Sequence, residues 1–310
     1  MREGERSIRR SELVCPGHSS KMMAKAAASS ADEVIFDLED ACAVSQKVPA
    51  RATVAEALRT LDFGEKVRAF RPNGVKSPFF LKDLTQVLES AGERVDAIVL
   101  PKVDDAEEVR FVDRLVSMIE QGAGLPVGRI QLEVLIESAK GVLHAEEIAS
   151  ASPRVASLIF GVADYAGDVG AKQFADDDEF SLFHYPKSHL VAAARAAGVD
   201  AVDNVTVHFR DLERVARDAQ RGARLGFDGK WAIHPSHLEP IHAAYTPTPE
   251  ELTRALKILG AYERADRERG EGAIVVDDEM VDAATLRVEL KRVAVARKAG
   301  LVNARNERLD

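Results

Sequence analysis

Residues 34–40 read VIFDLED, an apolar run that ends in three carboxylates, Asp37, Glu39 and Asp40. Valine, isoleucine and phenylalanine are typical of a buried β-strand, whereas acidic side chains are almost never fully buried without a partner. We therefore interpret this stretch as a strand of a covered sheet whose carboxyl end opens onto a functional surface.

Apolar runs of the same kind recur along the chain, separated by segments whose apolar residues follow three- and four-residue spacing. In order, the runs are ELVC, EVIFDL, VRAF, DAIVLP, IQLEVLI, VASLIFGV, DAVDNVTV and KWAIHP. Nearly continuous apolar strands that alternate with helices predict a parallel sheet covered by helices. Eight units over about 235 residues favour a (β/α)8 TIM barrel. A doubly wound open sheet is the alternative, because periodicity does not show closure.

The pattern changes after the eighth run. A charged helix that begins with proline, the strand-like AIVV and a final helix from about Ala283 to Ala299 follow. We predict a TIM-barrel catalytic domain over residues 1–245 and a C-terminal helical extension over residues 246–310. The extension packs on its own subunit or reaches into a neighbouring one. The acidic run ADDDEF at 175–180 fits a solvated loop better than a metal site.

Composition limits the classes of partner. The formal net charge of −9 argues against a nucleic acid or an anionic membrane, because both need clustered cations. No apolar run has the length of a membrane span, and the opening MREGERSIRR lacks the apolar core of a signal peptide. Two cysteines, Cys15 and Cys42, are too few for a disulfide framework, so we expect reduced thiols in a cytoplasmic protein.

The ends of the predicted strands carry the candidate chemistry, because the active face of a TIM barrel lies at the carboxyl ends of its strands. Polar side chains follow the apolar runs of six strands. They are Asp37, Glu39 and Asp40 after the second, Arg71 and Asn73 after the third, Lys102 after the fourth, Glu137 after the fifth, Asp164 after the sixth and His234 after the eighth. We expect these side chains to converge on one site.

Carboxylates held together repel each other unless a cation lies among them. Oxygen ligands without a cysteine or histidine cluster favour Mg²⁺, with Mn²⁺ as an alternative. Glu137 and Asp164 are the predicted direct ligands, and the acids after the second strand would hold the ion's waters. The competing interpretation is that Asp37 caps the following helix and Glu39 pairs with Lys47. Lys102 either approaches the substrate or holds the acids together.

Several motifs together resemble the HpcH/HpaI aldolase/citrate lyase family, which includes malyl-CoA/β-methylmalyl-CoA lyases and citrate lyase β-subunits. They are LVCPGHSSKMMAKA, VIFDLEDACAVSQKVPAR, FRPNGVKSPFF, IVLPKV, LEVLIESAKGV, FGVADYAGDVG, GFDGKWAIHP and MVDAATLRVE. The phrases NGVKSPFFLKDL and IESAKGVLHAEEIASASPR look most like the malyl-CoA lyases, whereas VDNVTVHFRDLE looks more like the citrate lyase and citramalyl-CoA lyase branches.

The resemblance implies a Mg²⁺-dependent lyase that cleaves or forms a carbon–carbon bond beside a CoA thioester, as a homotrimer or homohexamer. It implies that Arg71 contacts the substrate and that Glu137 and Asp164 bind both the metal and the substrate. The implied residues that surround these ligands are Asp37, Glu39, Asp40 and Lys102. It also implies that Asp282 is an acid/base acting in a neighbour's site. The remaining implied substrate contacts are Lys25, Ala163, Ile233 and His234.

Alternatives remain open at this stage. Arg71 could form only a salt bridge at the rim with Glu39 or Asp40. A citrate lyase β-subunit-like or citramalyl-CoA lyase activity is the enzymatic rival to malyl-CoA cleavage. A non-catalytic assembly protein is the rival of a different class, and it would have no reason to keep Arg71, Glu137, Asp164 and Asp282 together.

Overall fold

The computed structural model describes residues 8–172, 182–270, 272–303 and 306–308. Its main feature is a closed barrel of eight parallel strands in the order β1 to β8, each hydrogen-bonded to the next and β8 to β1. The TIM barrel predicted from the sequence is therefore confirmed, and the open sheet is wrong. The acidic run at 175–180 lies outside the described residues.

The barrel strands match the eight apolar runs. They are β1 (Ser11–Pro16), β2 (Glu33–Asp37), β3 (Val67–Arg71), β4 (Ala97–Leu100), β5 (Gln131–Ile136), β6 (Val155–Phe160), β7 (Asp200–Asp203) and β8 (Gly229–Ala232). The helices between and after them are α1 (Ser20–Ala27), α2 (Lys47–Thr60), α3 (Phe80–Ala91), α4 (Ala106–Gly122), α5 (Ala139–Leu143), α6 (Ala145–Ala149), α7 (Val162–Asp168), α8 (His184–Ala197), α9 (Leu212–Leu225) and α10 (Leu238–Tyr245).

The inside of the barrel is filled in layers, as expected for a barrel of this size. A middle layer is apolar. Its buried members are Val14, Ile35, Val67, Ala69, Ala97, Val99, Leu135, Ile159, Val202 and Trp231. Because side chains alternate along a strand, the residues two positions before and after these also face inward. Those flanking positions are polar on several strands, so a polar layer lies at each end of the apolar one.

Closure of the barrel depends on a close approach at Gly229, the first residue of β8. A Cβ atom at this position would lie 1.8 Å from the carbonyl oxygen of Arg9 and 2.8 Å from that of Arg10. The backbone N–H of Lys230 donates to the Arg10 carbonyl oxygen across the same seam, at 3.0 Å. Only glycine lets the two backbones meet there.

The chain divides into two compact units, one comprising residues 9–241 and the other including the chain from residue 242 onward. The division falls inside α10, close to the boundary after residue 245 that the sequence suggests. The second unit contains α11 (Pro249–Arg269), β9 (Ala273–Val276), β10 (Glu279–Asp282) and α12 (Ala283–Lys298).

The second unit has its own apolar core between α11 and α12, built around Leu252, Leu259 and Val293. Strands β9 and β10 form an antiparallel hairpin. Asp277 and Asp278 in its turn have φ values of 52° and 63°, as a two-residue type I′ turn requires. Among the described residues of the whole chain, no helix has the length and apolarity needed to cross a membrane.

Candidate active site

Polar side chains gather at the carboxyl end of the barrel. Asp37 and Arg71 are the last residues of β2 and β3, and Glu137 directly follows β5. Asp164 lies in the first turn of α7 rather than at the strand end itself. A cavity of about 510 Å³ opens at this end. Its lining consists of Lys102, Glu137, Ser138, Ala163, Asp164, Gly167 and Asp168.

Arg71 is a buried cation held by Asp37. Nε and Nη2 of its guanidinium donate to the two Asp37 oxygens at 2.7 and 2.6 Å, and Nη1 lies 3.1 Å from Oε2 of Glu39. The same Asp37 oxygens accept the backbone N–H groups of Glu39 and Ala41. Burial alone would raise the pKa of Asp37, but the charge and hydrogen bonds of Arg71 outweigh it and lower that pKa.

This arrangement gives both oxygens of Asp37 protein donors, and the expectation that Asp37 also holds metal-bound water stays a prediction. It also refines the salt-bridge interpretation of Arg71, since the main partner is Asp37 and the second is Glu39. The Arg71 guanidinium carbon lies 5.4 Å from the centre of the Trp231 ring. Sequence reasoning did not assign Trp231 this contact.

Lys47 fixes the backbone that carries the acidic residues. Its Nζ donates to the carbonyl oxygens of Leu38 and Glu39 at 3.0 and 2.6 Å and to Oδ1 of Asn73 at 2.6 Å. The side chain of Lys47 is buried. The alternative in which Lys47 pairs with the Glu39 carboxylate is not what the structure has, because the ammonium group contacts the backbone instead.

Lys102 connects the acids around the cavity. Its Nζ lies 2.7 Å from Oε1 of Glu39, 3.3 Å from Oδ1 of Asp40 and 3.7 Å from Oδ1 of Asp164. Its backbone has a φ of 55°, a left-handed conformation that is uncommon outside glycine. In that conformation its N–H donates to Oε1 of Glu137 at 2.8 Å. Lys102 therefore contacts four carboxylates, which supports a role in holding the acids together.

Glu137 is a buried carboxylate in a narrow space. A Cβ atom at Gly161 would lie 2.6 Å from Cβ and 2.7 Å from Oε2 of Glu137, so the glycine makes room for this side chain. Burial, and then the charges of Glu39 and Asp164, raise the pKa of Glu137 well above its usual range. A nearby divalent cation would reverse this effect by favouring the ionised form.

These residues fit a hard divalent cation. Five carboxylates surround the site, and the cations that contact them are Arg71 and Lys102. The acids therefore exceed the bases, and every candidate ligand atom at Glu137 and Asp164 is an oxygen, the donor that Mg²⁺ prefers. Within the part of the chain that the structure describes, Glu39 Oε2 is buried and accepts no hydrogen bond, although Arg71 lies nearby.

Other candidate residues lie outside the cavity lining. Lys25 is exposed in the last turn of α1. Ile233 and His234 are exposed in the loop after β8, where His234 Nδ1 accepts the backbone N–H of Ser236 at 3.2 Å. Ala163, in contrast, lines the cavity next to Asp164.

Asp282 lies in the second compact unit, as the N-cap residue of α12. Its Oδ1 accepts the backbone N–H groups of Ala284 and Thr285 at 2.9 and 3.0 Å. These hydrogen bonds lower the pKa of Asp282, so the side chain is ionised at neutral pH.

Comparison with known proteins agrees with the resemblance seen in the motifs. Residues 10–235 match the model of the family described as HpcH/HpaI aldolase/citrate lyase, which is more than half of the chain. The chain belongs to the HpcH/HpaI aldolase/citrate lyase family.

Relatives within the HpcH/HpaI family cover nearly the whole chain. One is the L-malyl-CoA/β-methylmalyl-CoA lyase of Cereibacter sphaeroides, 38% identical over 95% of this chain and 96% of its own. Another is the citrate lyase subunit beta of Leuconostoc mesenteroides, 36% identical over 89% of each chain. A solved structure, the CitE protein of Mycobacterium tuberculosis in complex with magnesium, acetoacetate and coenzyme A, has a TM-score of 0.76 and 29% identity, over 94% of this chain and 98% of that one.

Proposed function

We propose that the protein is a Mg²⁺-dependent carbon–carbon lyase that cleaves, or in reverse forms, a 3-hydroxyacyl-CoA such as malyl-CoA or β-methylmalyl-CoA. The products of cleavage are an oxoacid such as glyoxylate and an acyl-CoA. The observation that carries the proposal is the meeting of Glu137 and Asp164 at one cavity, joined by Lys102, at the active face of the barrel. The lyase of Cereibacter sphaeroides, similar over nearly its whole length, gives the substrate class.

Glu137 and Asp164 are the residues that would hold Mg²⁺, with Mn²⁺ as a substitute. When bound, the ion acts as a Lewis acid and a template for the hydroxyl and carboxylate oxygens of the oxoacid half. The solved CitE structure, which is in complex with magnesium, acetoacetate and coenzyme A, supports magnesium as the cofactor. Glu39, Asp40 and Lys102 keep the ligands in place, because Lys102 Nζ lies within 4 Å of a carboxylate oxygen of Glu39, Asp40 and Asp164.

Arg71 stabilises the negative charge that moves during cleavage. The hydroxyl loses its proton while the carbon–carbon bond breaks, the electron pair of that bond forms the thioester enolate, and a proton delivered to the enolate carbon balances the one lost and completes the acyl-CoA. A guanidinium has five N–H donors, of which two donate to Asp37, while Nη1 forms an ion pair with Glu39. We assign the remaining donors of Nη1 and Nη2 to substrate oxygens. Because Asp37 fixes the guanidinium in advance, little reorganisation is needed when the charge develops.

Asp282 is the proposed group that exchanges the proton at the methyl carbon of the acetyl-CoA product. Its ionised state at rest suits a base that removes this proton in the condensation direction. We propose that Asp282 acts in the site of a neighbouring subunit of a homotrimer or homohexamer in the cytoplasm. Lys25 would contact CoA, and Ala163 with the backbone of Ile233 and His234 would contact the oxoacid half.

A coupled assay of the purified protein with malyl-, methylmalyl-, citramalyl- and citryl-CoA tests the proposal. We expect release of glyoxylate from malyl-CoA or methylmalyl-CoA, and loss of this activity in chelator with recovery on addition of Mg²⁺. Turnover of citryl groups only on an acyl-carrier protein would favour the citrate lyase β-subunit-like alternative, which the Leuconostoc relative represents. Absence of turnover together with absence of Mg²⁺ binding would favour a non-catalytic assembly protein.

A further inference from the structure

A second cluster of acids lies inside the barrel at the amino ends of the strands. Glu12, Glu33 and Glu133 occupy inward positions of β1, β2 and β5, and all three side chains are 0% exposed. Each lies two residues before a member of the apolar middle layer. The cluster is therefore separated by that layer from the carboxyl end, where the candidate active site lies.

The three carboxylates share a pattern of contacts. One oxygen of each has a protein partner. Trp231 Nε1 donates to Glu12 Oε2, Arg9 Nε lies 3.2 Å from Glu33 Oε2, and Arg9 Nη2 lies 2.9 Å from Glu133 Oε1. Glu12 Oε1, Glu33 Oε1 and both oxygens of Glu133 are buried and accept no hydrogen bond from any residue that the structure describes, so Arg9 contacts Glu133 Oε1 as an ion pair only.

Ser157 adds an independent indication of a missing ligand. It is the register partner of Glu133 on β6, and it faces the interior because Ile159, two residues later, belongs to the middle layer. Its side chain is 0% exposed, and its hydroxyl oxygen has no hydrogen-bond partner in the described part of the chain. Buried polar groups nearly always have a partner, so a group that satisfies this hydroxyl is expected.

Charge indicates the nature of that group. Arg9 is a buried cation beside these acids, and it faces Glu33, Glu133 and, at 3.5 Å, the partly exposed Asp200. The three fully buried glutamates therefore outnumber the one guanidinium, in a place that bulk water does not reach. A neutral water has only two hydrogens to donate, whereas four buried carboxylate oxygens and a hydroxyl lack hydrogen-bond partners among the residues that the structure describes.

We propose that Glu12, Glu33, Glu133 and Ser157 form a structural binding site for a hard divalent cation in the base of the barrel. One carboxylate oxygen from each glutamate lies within 4.8 Å of those of the other two. Opposite ligands of a Ca²⁺ ion are roughly 5 Å apart, so the carboxylates can bind such an ion without large movement. Mn²⁺ and Mg²⁺ take the same all-oxygen donors.

Protons are the competing occupants. Burial and the charge of Glu133 raise the pKa of both Glu12 and Glu33 well above the usual range. A protonated Glu33 could donate to Glu133, because the two carboxyl groups lie within hydrogen-bonding reach of each other. A bound cation and shared protons can be distinguished by experiment, because only the cation is detected by metal analysis and located by its anomalous scattering.

The test uses the full-length chain with Glu137→Gln and Asp164→Asn, so that the candidate active site no longer binds metal. The protein is produced with Ca²⁺ and Mn²⁺ in the medium, dialysed against a chelator and examined by mass spectrometry of its metals. We expect about one retained ion per chain, because a chelator does not reach ligands that are fully buried. Adding Glu33→Gln and Glu133→Gln should remove it.

Glu120→Gln is the matched control, because Glu120 is also 0% exposed but its oxygens are bonded to Arg154, Gly128 and Ile130. This control should keep the ion. If the glutamate variants fail to fold, an anomalous difference map from Mn²⁺-grown crystals of the Glu137→Gln, Asp164→Asn protein decides. A peak among the three glutamates supports the site. No retained metal, no peak there, or retention unchanged by Glu33→Gln and Glu133→Gln would overturn the proposal.

Discussion

Asp37 and Arg71 are register partners at the carboxyl ends of β2 and β3, and they form a two-point ion pair inside the barrel mouth. The relationship fixes the guanidinium beside Trp231 and in contact with Glu39. A buried ion pair of this kind contributes little net stability, but loss of one partner leaves a buried charge without compensation. The pair is therefore better explained by its effect on the site than by its effect on the fold.

Arg71→Ala should reduce both turnover and stability. Loss of one preorganised donor costs on the order of 10²–10³ in kcat. Leaving Asp37 buried without its partner costs about 3–5 kcal/mol in the free energy of unfolding. Steady-state kinetics and urea unfolding measure the two effects. Asp37→Asn should show a smaller kinetic loss with Arg71 still present, and near-wild-type turnover of Arg71→Ala would contradict the assigned role.

Glu137→Gln should separate function from stability. We expect Mg²⁺ affinity to fall by at least about tenfold, because a ligand is lost. In chelator, however, the variant should be more stable than the wild type at neutral pH, because the ionised form of Glu137 is unfavourable in the folded state. Metal titration and denaturant unfolding with and without Mg²⁺ distinguish the two effects.

The difference in stability between the wild type and Glu137→Gln without metal should depend on pH in a definite direction. The pKa of Glu137 is raised in the folded state above its ordinary value of 4.5. The wild type without metal should therefore lose stability as pH rises from about 4.5 towards the folded-state pKa, since the unfolded state releases the proton first. Glu137→Gln should not show this loss of stability, because glutamine does not ionise. Parallel curves for the two proteins would show that Glu137 is not perturbed.

Lys47→Met should displace the backbone that carries the acidic residue Glu39, although Lys47 is not proposed to contact the substrate. Removal of the ammonium group removes charge-assisted hydrogen bonds to the carbonyl oxygens of Leu38 and Glu39, at about 1.5–3 kcal/mol each. We expect lower stability and a lower kcat. Lys66→Met is the control, because Lys66 Nζ donates to one carbonyl oxygen, that of Phe63, in a partly exposed place. Equal effects in both variants would rule out a special role for Lys47.

Gly161→Ala should displace the Glu137 carboxylate, since the new methyl group would lie 2.6 Å from Glu137 Cβ. A shift of about 1 Å in a reacting or binding group can cost about 10²-fold in rate. Gly122→Ala at the end of α4 has open space around it and should gain up to about 1 kcal/mol in stability with full activity. Kinetics of the two alanine variants test whether space at Gly161 matters.

Mixed oligomers test whether Asp282 acts between subunits. Glu137→Ala and Asp282→Ala should each be inactive alone. When the two are refolded together in equal amounts, about a quarter of the sites would combine an intact barrel with an intact Asp282 from a neighbour. Recovered activity near that fraction would support the proposal, whereas no recovery would assign Asp282 to its own subunit or to no catalytic role.

Much of the fold follows directly from the sequence, because each strand is a short apolar run and six of the eight runs are followed by a polar residue. Asp37, Arg71 and Glu137 could be placed at one end of the barrel for that reason. The identity of the ion-pair partner of Arg71 could not be predicted from the sequence, because it depends on the register between β2 and β3. Nor could the left-handed backbone of Lys102, which lets its N–H donate to Glu137.

The glutamates at the base of the barrel were missed although the sequence carries a signal for them. The strands EVIFD and EVLIE each begin and end with an acid, at Glu33 and Asp37 and at Glu133 and Glu137. Residues four apart in a strand face the same side. Once Asp37 and Glu137 are assigned to the interior, the other two must follow. Their apolar surroundings instead led to the interpretation of both runs as simple buried strands.

Trp231 is the one tryptophan of the chain, and it contacts Arg71 through its ring and Glu12 through its N–H. Its intrinsic fluorescence is therefore an optical reporter inside the barrel that needs no added label. Emission intensity and wavelength should respond when charge is introduced beside Arg71, at the carboxyl ends of the strands, or beside Glu12, at their amino ends. Fluorescence recorded during a titration can thus report binding or protonation at both ends of the barrel interior, without interference from other indole groups.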